Sequence, residues 1–378
     1  MKVLFVTSEL HPWVTGGPQN VVYHLANQLA GKVDLAMLCI APGGGARPQE
    51  HYSQDIAFTL IPDRGVGALK YPYRNLAYVR KADEAAVPDV VHFHILPGAN
   101  CSRLPERLKR AGRARLVLSL YDWVPEELKF YGTMEKLQHI LHWKSARRRL
   151  RYFDRFVVNS SYMEGIVRSY GLEKVDVIPN GIDAAEWSVP ERESIKGVLN
   201  VLFWGRLYKK KGVEELIRAF AVSTQGRDAV HLYIGGEGPE AGCYRELARS
   251  LDLADKVTFT GPLGDDELKR YLNSCDLCVF PSAYEGFGIS ILEAMAAGKA
   301  VITSSRGGQT DFARDGYNAR LVDMDEPGGL ARALNELLDN NGLREELGAN
   351  ASGTAREFSW KRISSDYVDL YQRVLGEA

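Results

Sequence analysis

Twice along this chain, short β-branched apolar runs alternate with amphipathic helical patterns, and that alternation constrains the fold more than any other feature. KVLFVTS, VDLAMLCI, DVVHFHI, RLVLSL, RFVVNS and VDVIP read as strands in the first half, and VLNVLFWG, VHLYIGG, KVTFTG, LCVFPS and AVITSS repeat the pattern in the second. Near-continuous apolar strands separated by helices are what parallel sheets require, because the crossover helices cover both faces. At 378 residues the chain exceeds the size at which one core keeps growing, so two α/β domains are expected. AAEWSVPERESIKG, polar and without periodicity, reads as the linker, giving domains at 1–184 and 185–359. Two open sheets joined this way would place a cleft between the carboxyl ends of their strands, where such folds bind ligands. The last segment, FSWKRISSDYVDLYQRVL, reads as an amphipathic helix with Trp360, Ile363, Tyr367 and Leu370 on one face.

A composition of 45% hydrophobic and 25% charged residues fits a soluble globular protein. No run approaches the roughly 18 apolar residues of a membrane span, and MKVLFVTSELHPW lacks the long apolar region and cleavage site of a signal peptide, so a cytoplasmic protein is expected. Five scattered cysteines suit a reducing compartment, and the lone CxxC at Cys275 and Cys278, with apolar neighbours, reads as structural thiols rather than a zinc or redox site. The net charge of −1 hides an asymmetry: residues 1–190 hold 24 basic and 19 acidic side chains, residues 191–378 hold 23 and 29. The excess is concentrated between Arg103 and Arg151, with 13 basic against 5 acidic residues, and nothing there resembles a nucleic-acid module. HWKSARRRLRYFDR places Lys144, Arg147, Arg148, Arg151 and Arg155 on one helical face and Trp143, Ala146, Leu150 and Phe153 on the other. That face suits peripheral contact with an anionic membrane or a lipid-phosphate acceptor, or is a solvated face over a packed one.

Chemistry-bearing residues cluster where strands should end. In FPSAYEGFGISILEAMAAGKAV a strand runs into a turn holding Glu285, Gly286, Phe287 and Gly288 before an apparent helix that carries Glu293. Glycine there lets backbone amides approach an anion, and a carboxylate on the helix can accept two hydrogen bonds from a ribose diol, or the segment is a helix-starting loop with a solvated glutamate. In LFWGRLYKKKGVEELIRAF, Arg206 and Lys211 lie between a strand end and a helix start, placed to neutralise a diphosphate, or form a lysine-rich surface turn. Gly16 and Gly17 interrupt the first strand and its helix, as a ligand loop or a plain tight turn. In DVVHFHI, His94 is the candidate to touch substrate and His92 reads as a core histidine; further metal ligands are not evident, so no metal is expected. Gly236, Gly238 and Ala241 match GxGxxA, but without the acidic residue that a dinucleotide fold places after the next strand.

Together, SELHPWVTGGPQNVVYHLA, DVVHFHI, VIPNGID, WGRLYKKKG, IGGEGPE and YEGFGISILEAMAAGKAVITSSRGGQTDFARDG resemble glycosyltransferase family 4, over nearly the whole chain. The most specific part is the E-x7-E spacing of Glu285 and Glu293, joined by GR-x4-KG at Arg206 and Lys211. The resemblance implies a GT-B fold of two Rossmann-like domains and a retaining transfer from a nucleotide sugar, with no cofactor beyond that co-substrate. Arg206 and Lys211 would hold the diphosphate, Glu293 the ribose, and Glu285 with the amides of Phe287, Gly288 and Ile289 the sugar and phosphate. Gly16 and Gly236 would lie along the donor, Gly17 by the phosphates or the acceptor, Gly261 to Leu263 near the base, and His94 by the reacting sugar. The family fold implies that the helix within 360–378 returns to the first domain. The acceptor would be a saccharide, glycolipid or small molecule. Because VTGG lacks the lysine of the KTGG seen in bacterial glycogen synthases and the chain is short, glucan polymerisation is disfavoured. Tyr121 stands where relatives often have histidine, and Asp311 where glutamate is common. The rival readings are a nucleotide-sugar epimerase of similar two-domain shape and a non-catalytic nucleotide-sugar-binding protein.

Overall fold

The structure is a computed structural model that describes residues 1–8, 10–14, 16–41, 48–62, 70–84, 88–96, 101–112, 114–130, 132–188 and 198–377. The chain divides into two compact units, Met1–Gly181 with Trp360–Ala378, and Ile182–Ser359. The expected boundary was 184/185; most of the expected linker, 189–197, lies outside the described residues.

The first unit is built on β1 (Lys2–Val6), β2 (Asp34–Ile40), β3 (Ala57–Ile61), β4 (Val90–Phe93), β5 (Arg115–Leu120), β6 (Arg155–Val158) and β7 (Val175–Val177). They form one parallel sheet in the order β3-β2-β1-β4-β5-β6-β7. The central strands are buried along nearly their whole length, which is why their sequences are apolar without alternation. The edge strand β3 carries partly exposed residues, and its pattern escaped the sequence reading. The helix Trp360–Gly376 belongs to this unit: the Trp360 ring stacks on His24 at 5.3 Å, Lys32 donates to Ser364, and the Tyr371 hydroxyl meets His92.

The basic segment is not one helix. The helix Thr133–Arg147 stops, a 3₁₀ turn spans Leu150–Tyr152, and Phe153 turns the chain extended so that β6 starts at Arg155. Lys144, Arg147, Arg148 and Arg151 stay exposed over buried Trp143, Ala146, Leu150 and Phe153. Arg155 leaves that face, because on β6 it pairs with Asp176 at 3.4 Å and with Glu377.

The second unit holds β8 (Leu199–Trp204), β9 (Val230–Gly235), β10 (Val257–Gly261), β11 (Leu277–Phe280), β12 (Ala300–Ser304) and β13 (Arg320–Val322). Its parallel order, β10-β9-β8-β11-β12-β13, reverses direction at β8 and β11, just as the first sheet reverses at β1 and β4. In open α/β sheets that switch point opens the crevice where ligands sit. Cys275 and Cys278 are buried in this core with their Sγ atoms 3.7 Å apart, and burial pushes the Cys278 thiol up.

Candidate active site

The carboxyl ends of the second sheet are woven together by backbone contacts that need glycine. Gly236 has φ +116°, and a Cβ there would lie 1.9 Å from the Gly205 carbonyl oxygen, so the loops after β8 and β9 meet backbone to backbone. The GxGxxA match is thereby explained as loop packing rather than a dinucleotide fingerprint. Gly236 N donates to Gly261 O at 2.6 Å, Leu207 N to Glu237 O at 2.8 Å, and Ala283 N to Lys210 O at 2.8 Å. The loop after β12 closes the set: Gly308 N donates to Glu285 O at 2.8 Å, and a Cβ on Gly308 would sit 1.9 Å from Gly286 O.

This weave brings Lys211 and Glu285 together. Lys211 ends a 3₁₀ turn, Lys209–Lys211, and its Nζ donates to Glu285 Oε2 at 2.6 Å; Ser282 Oγ contacts the same oxygen at 3.4 Å. Both ionic side chains are less than a quarter exposed, so the pair is held in place but reachable. A lysine has three N–H donors, and one spent on Glu285 leaves two for a phosphate. Lys210 is not a plain surface lysine, since its Nζ lies 5.5 Å from the Tyr284 ring centre. Arg206 is exposed and lies along Tyr208, 5.1 Å from the ring centre, with Nη2 3.3 Å from the hydroxyl. Among the described residues it does not join the Lys211–Glu285 pair.

Glu293 sits on the inner side of the helix Ile289–Ala296, 8% exposed, and accepts from Trp204 Nε1 at 3.3 Å. Burial raises its carboxyl to about 7, against the lowering effect of the indole donor; Asp265 and Glu186 push the same way as burial. A carboxylate kept half ionised near neutrality, with free acceptor capacity, is poised for a hydroxyl pair. The helix opens from Gly288 in a left-handed conformation, and the amides of Phe287, Gly288 and Ile289 precede its first hydrogen bond, from Leu292 N to Gly288 O. The Phe287 side chain is core, packed on Phe312 at 5.2 Å, so only its backbone can face a ligand. Leu263 packs over Gly235, beside Gly261.

Sequence reading did not single out Trp204, Ser282 or Gln309. Gln309 is fully buried beside Gly288; its Nε2 donates to Ser304 O and Arg306 O while its Oε1 is buried without a partner. The signal was present in GGQTDF, where paired glycines after a strand announce close backbone packing.

In the first unit β4 ends at Phe93, so His92 lies in the strand and His94 just beyond it. His92 is satisfied on both sides, by Tyr371 at 2.7 Å and Ser119 at 2.8 Å. His94 Nδ1 meets the Tyr121 hydroxyl at 2.6 Å, while Nε2 is buried without a partner. Burial lowers His94 to about 3, which makes it a neutral hydrogen-bonding group at neutral pH, and burial raises Tyr121. Gly16 is extended and caps the helix Gly17–Leu29, whose Asn20 N donates to Gly16 O at 3.0 Å.

Two parallel Rossmann-like sheets, the second with paired ionic groups on the loops at its switch point, are the architecture of GT-B glycosyltransferases. The chain belongs to glycosyltransferase family 4, in group 1. The model of Glycosyltransferase Family 4 matches residues 15–186 and that of Glycosyl transferases group 1 matches residues 189–354. A glycogen synthase of Mycobacterium tuberculosis is 27% identical over 98% of this chain and 94% of its own length. That span removes the argument from short chain length against glucan polymerisation. Among solved structures, sucrose-phosphate synthase from Thermosynechococcus elongatus covers both chains fully at a TM-score of 0.83 and 19% identity. Anabaena HepE, solved in complex with UDP and glucose, reaches 0.77 at 21% identity, covering 98% of this chain and 99% of its own. Among the described residues, no helix is long and apolar enough to cross a membrane.

Proposed function

We propose that this enzyme is a retaining glycosyltransferase that moves a sugar from a nucleoside-diphosphate sugar to an acceptor hydroxyl with formation of an α-glycosidic bond. The observation that carries this reading is the Lys211–Glu285 pair on the loops at the β8/β11 switch point, with buried Glu293 on the helix that follows the β11 loop. Glu293 accepts from the ribose hydroxyls, Lys211 turns its remaining donors to the diphosphate, and Glu285 accepts from the transferred sugar. Exposed Arg206 swings from Tyr208 to the same phosphates. The anomeric carbon–oxygen bond breaks toward the nucleoside diphosphate, the acceptor oxygen bonds to that carbon on the same face, and the acceptor proton passes to the leaving phosphate. Two cations carry the charge of the leaving group, so the reading needs no metal.

The backbone at Phe287, Gly288 and Ile289 cradles phosphate, Gly236 lies along the donor, and Gly261 and Leu263 border the base. From the family resemblance, His94 lies by the reacting sugar, Gly16 lies along the donor, and Gly17 approaches the phosphates or the acceptor. The acceptor is a saccharide, glycolipid or small molecule, and the reaction is cytoplasmic, with Lys144, Arg147, Arg148 and Arg151 supplying peripheral contact at the inner membrane face. HepE, solved with UDP and glucose, makes UDP-glucose the first donor to try.

Lys211→Ala should lower turnover by ~100-fold or more while leaving the melting temperature within a few degrees, since it removes a preorganised donor to developing charge. Near-normal activity would sink the role of Lys211. Incubating labelled donor alone separates the rivals: an isomeric nucleotide sugar would mean an epimerase, and no acceptor-dependent release of nucleoside diphosphate would mean a binding protein.

A further inference from the structure

Apart from the donor-site candidates, and opening beside the basic face of Arg147 and Arg151, the first unit has a cavity of about 380 Å³ next to β6, a volume within the ~300–1,000 Å³ of small-molecule sites. Its walls are aromatic. Trp123 meets Trp143 edge-on at 4.6 Å and Tyr170 at 5.3 Å, while Phe153 and Phe156 lie 6.1 Å apart. Except for Tyr170, these rings are each less than a tenth exposed, so packing on their outer sides fixes them and little ordering would accompany binding.

The mouth is ionic. Arg147, Arg151 and Lys174 stand there with one carboxylate, Glu173. Arg151 lies on the Tyr152 ring at 4.9 Å; neither Arg147 nor Lys174 has an ion-pair partner among the described residues. The Arg151 Nη2 also donates to the Tyr152 hydroxyl at 2.8 Å, so the Arg147 guanidinium and the Lys174 ammonium are the unspent cations, and such groups select phosphate-like anions. A bare anion would leave the aromatic cavity unused, and a neutral hydrocarbon would leave the cations unused. A molecule with both parts uses both.

We propose that this cavity binds one single-chain amphiphile with a phosphate head, of the alkyl- or prenyl-phosphate class, its chain among the rings and its phosphate between Arg147, Arg151 and Lys174. This site does not depend on the transferase reading, and its test uses no sugar. The full-length protein is titrated with dodecyl phosphate below its aggregation concentration, followed by calorimetry, and with a chain-brominated analogue that quenches Trp123 and Trp143. The expected result is saturable one-to-one binding that tightens roughly threefold to fourfold per added methylene. Inorganic phosphate and dodecanol should each bind at least tenfold more weakly, and R147E/R151E should weaken dodecyl phosphate tenfold or more with an unchanged melting temperature. W143F should remove part of the quenching.

Equal binding of inorganic phosphate would reduce the site to a surface anion patch and overturn the proposal. So would dodecanol binding as tightly as dodecyl phosphate, or indifference to R147E/R151E. Binding to phosphatidylglycerol vesicles without binding of monomeric dodecyl phosphate would assign the basic residues to a membrane surface instead. Should R147E/R151E fail to fold, K174E tests the same mouth from a different segment.

Discussion

Glu293 is held at a cost to the folded state, because its carboxyl is almost wholly buried and has one indole donor. Its folded value of about 7 lies above the ordinary 4.5, so between those values the native state holds more protons than the unfolded chain. The sign follows: stability associated with this group is greatest at acid pH and falls as pH rises from about 4.5 to 7, by on the order of 3 kcal/mol. Glu293→Gln keeps an acceptor for Trp204 and removes the charge. It should therefore raise the melting temperature at pH 8, leave it nearly unchanged at pH 4.5, and weaken nucleotide-sugar binding at both. Melting curves at the two pH values with a donor titration check this; no gain at pH 8 would mean that the carboxylate is better solvated than its burial implies. At this scale the sequence was most readable where spacing along one segment sets the chemistry, as in Glu285 and Glu293. It was silent on Trp204, whose indole arrives from a strand 89 positions away, and on the choice of Glu285 over Arg206 as the neighbour of Lys211.

Elements were legible where burial writes an unbroken apolar run, and less so at sheet edges, where two of the four edge strands were missed. The buried central strands of both sheets stand out in the sequence, as do the edge strands β7 and β10, whereas the edge strand β3 and the three-residue β13, each only partly buried, do not. The basic segment misled for another reason. Its 3.6-residue spacing is real as far as Arg147, but β6 must begin in register with β5 and β7, and that tertiary demand ends the helix. Loop contacts at the strand ends are tertiary as well, and Gly308 shows how much rests on them. A Cβ there would press into the Gly286 carbonyl, which cannot rotate away as a side chain could. Gly308→Ala should thus cost about 1–3 kcal/mol and displace the turn that presents Glu285. The expected readout is a lower melting temperature together with a raised KM for the nucleotide sugar, whereas Gly353→Ala, with open space around its Cβ, serves as a control. Lost stability with an unchanged KM would detach the β12 loop from donor binding.

At the scale of the whole molecule the two units differ in how their chain is supplied. The second is one continuous stretch whose ends lie side by side, Ile182 N donating to Phe358 O at 2.7 Å and Ile182 bridging to Ser359. The first is assembled from two stretches and is finished by the terminal helix: Trp360 packs so closely on Gly181 that a Cβ there would fall 2.5 Å from the indole, and Tyr371 supplies a partner to buried His92. Residues 182–359 expressed alone should therefore fold cooperatively and bind a nucleoside diphosphate, since Lys211, Glu285 and Glu293 all lie within them. Residues 1–181 alone should not fold cooperatively, because Tyr367, Leu370 and Tyr371 leave a face of apolar core open and His92 loses a hydrogen bond worth roughly 1–3 kcal/mol when left unmade. Supplying 360–378 as a peptide should restore cooperative melting to the first stretch. If 182–359 melts cooperatively yet binds no nucleoside diphosphate that the full chain binds, the donor site assigned to the β8/β11 switch point is incomplete, and residues of the first unit hold the diphosphate as well.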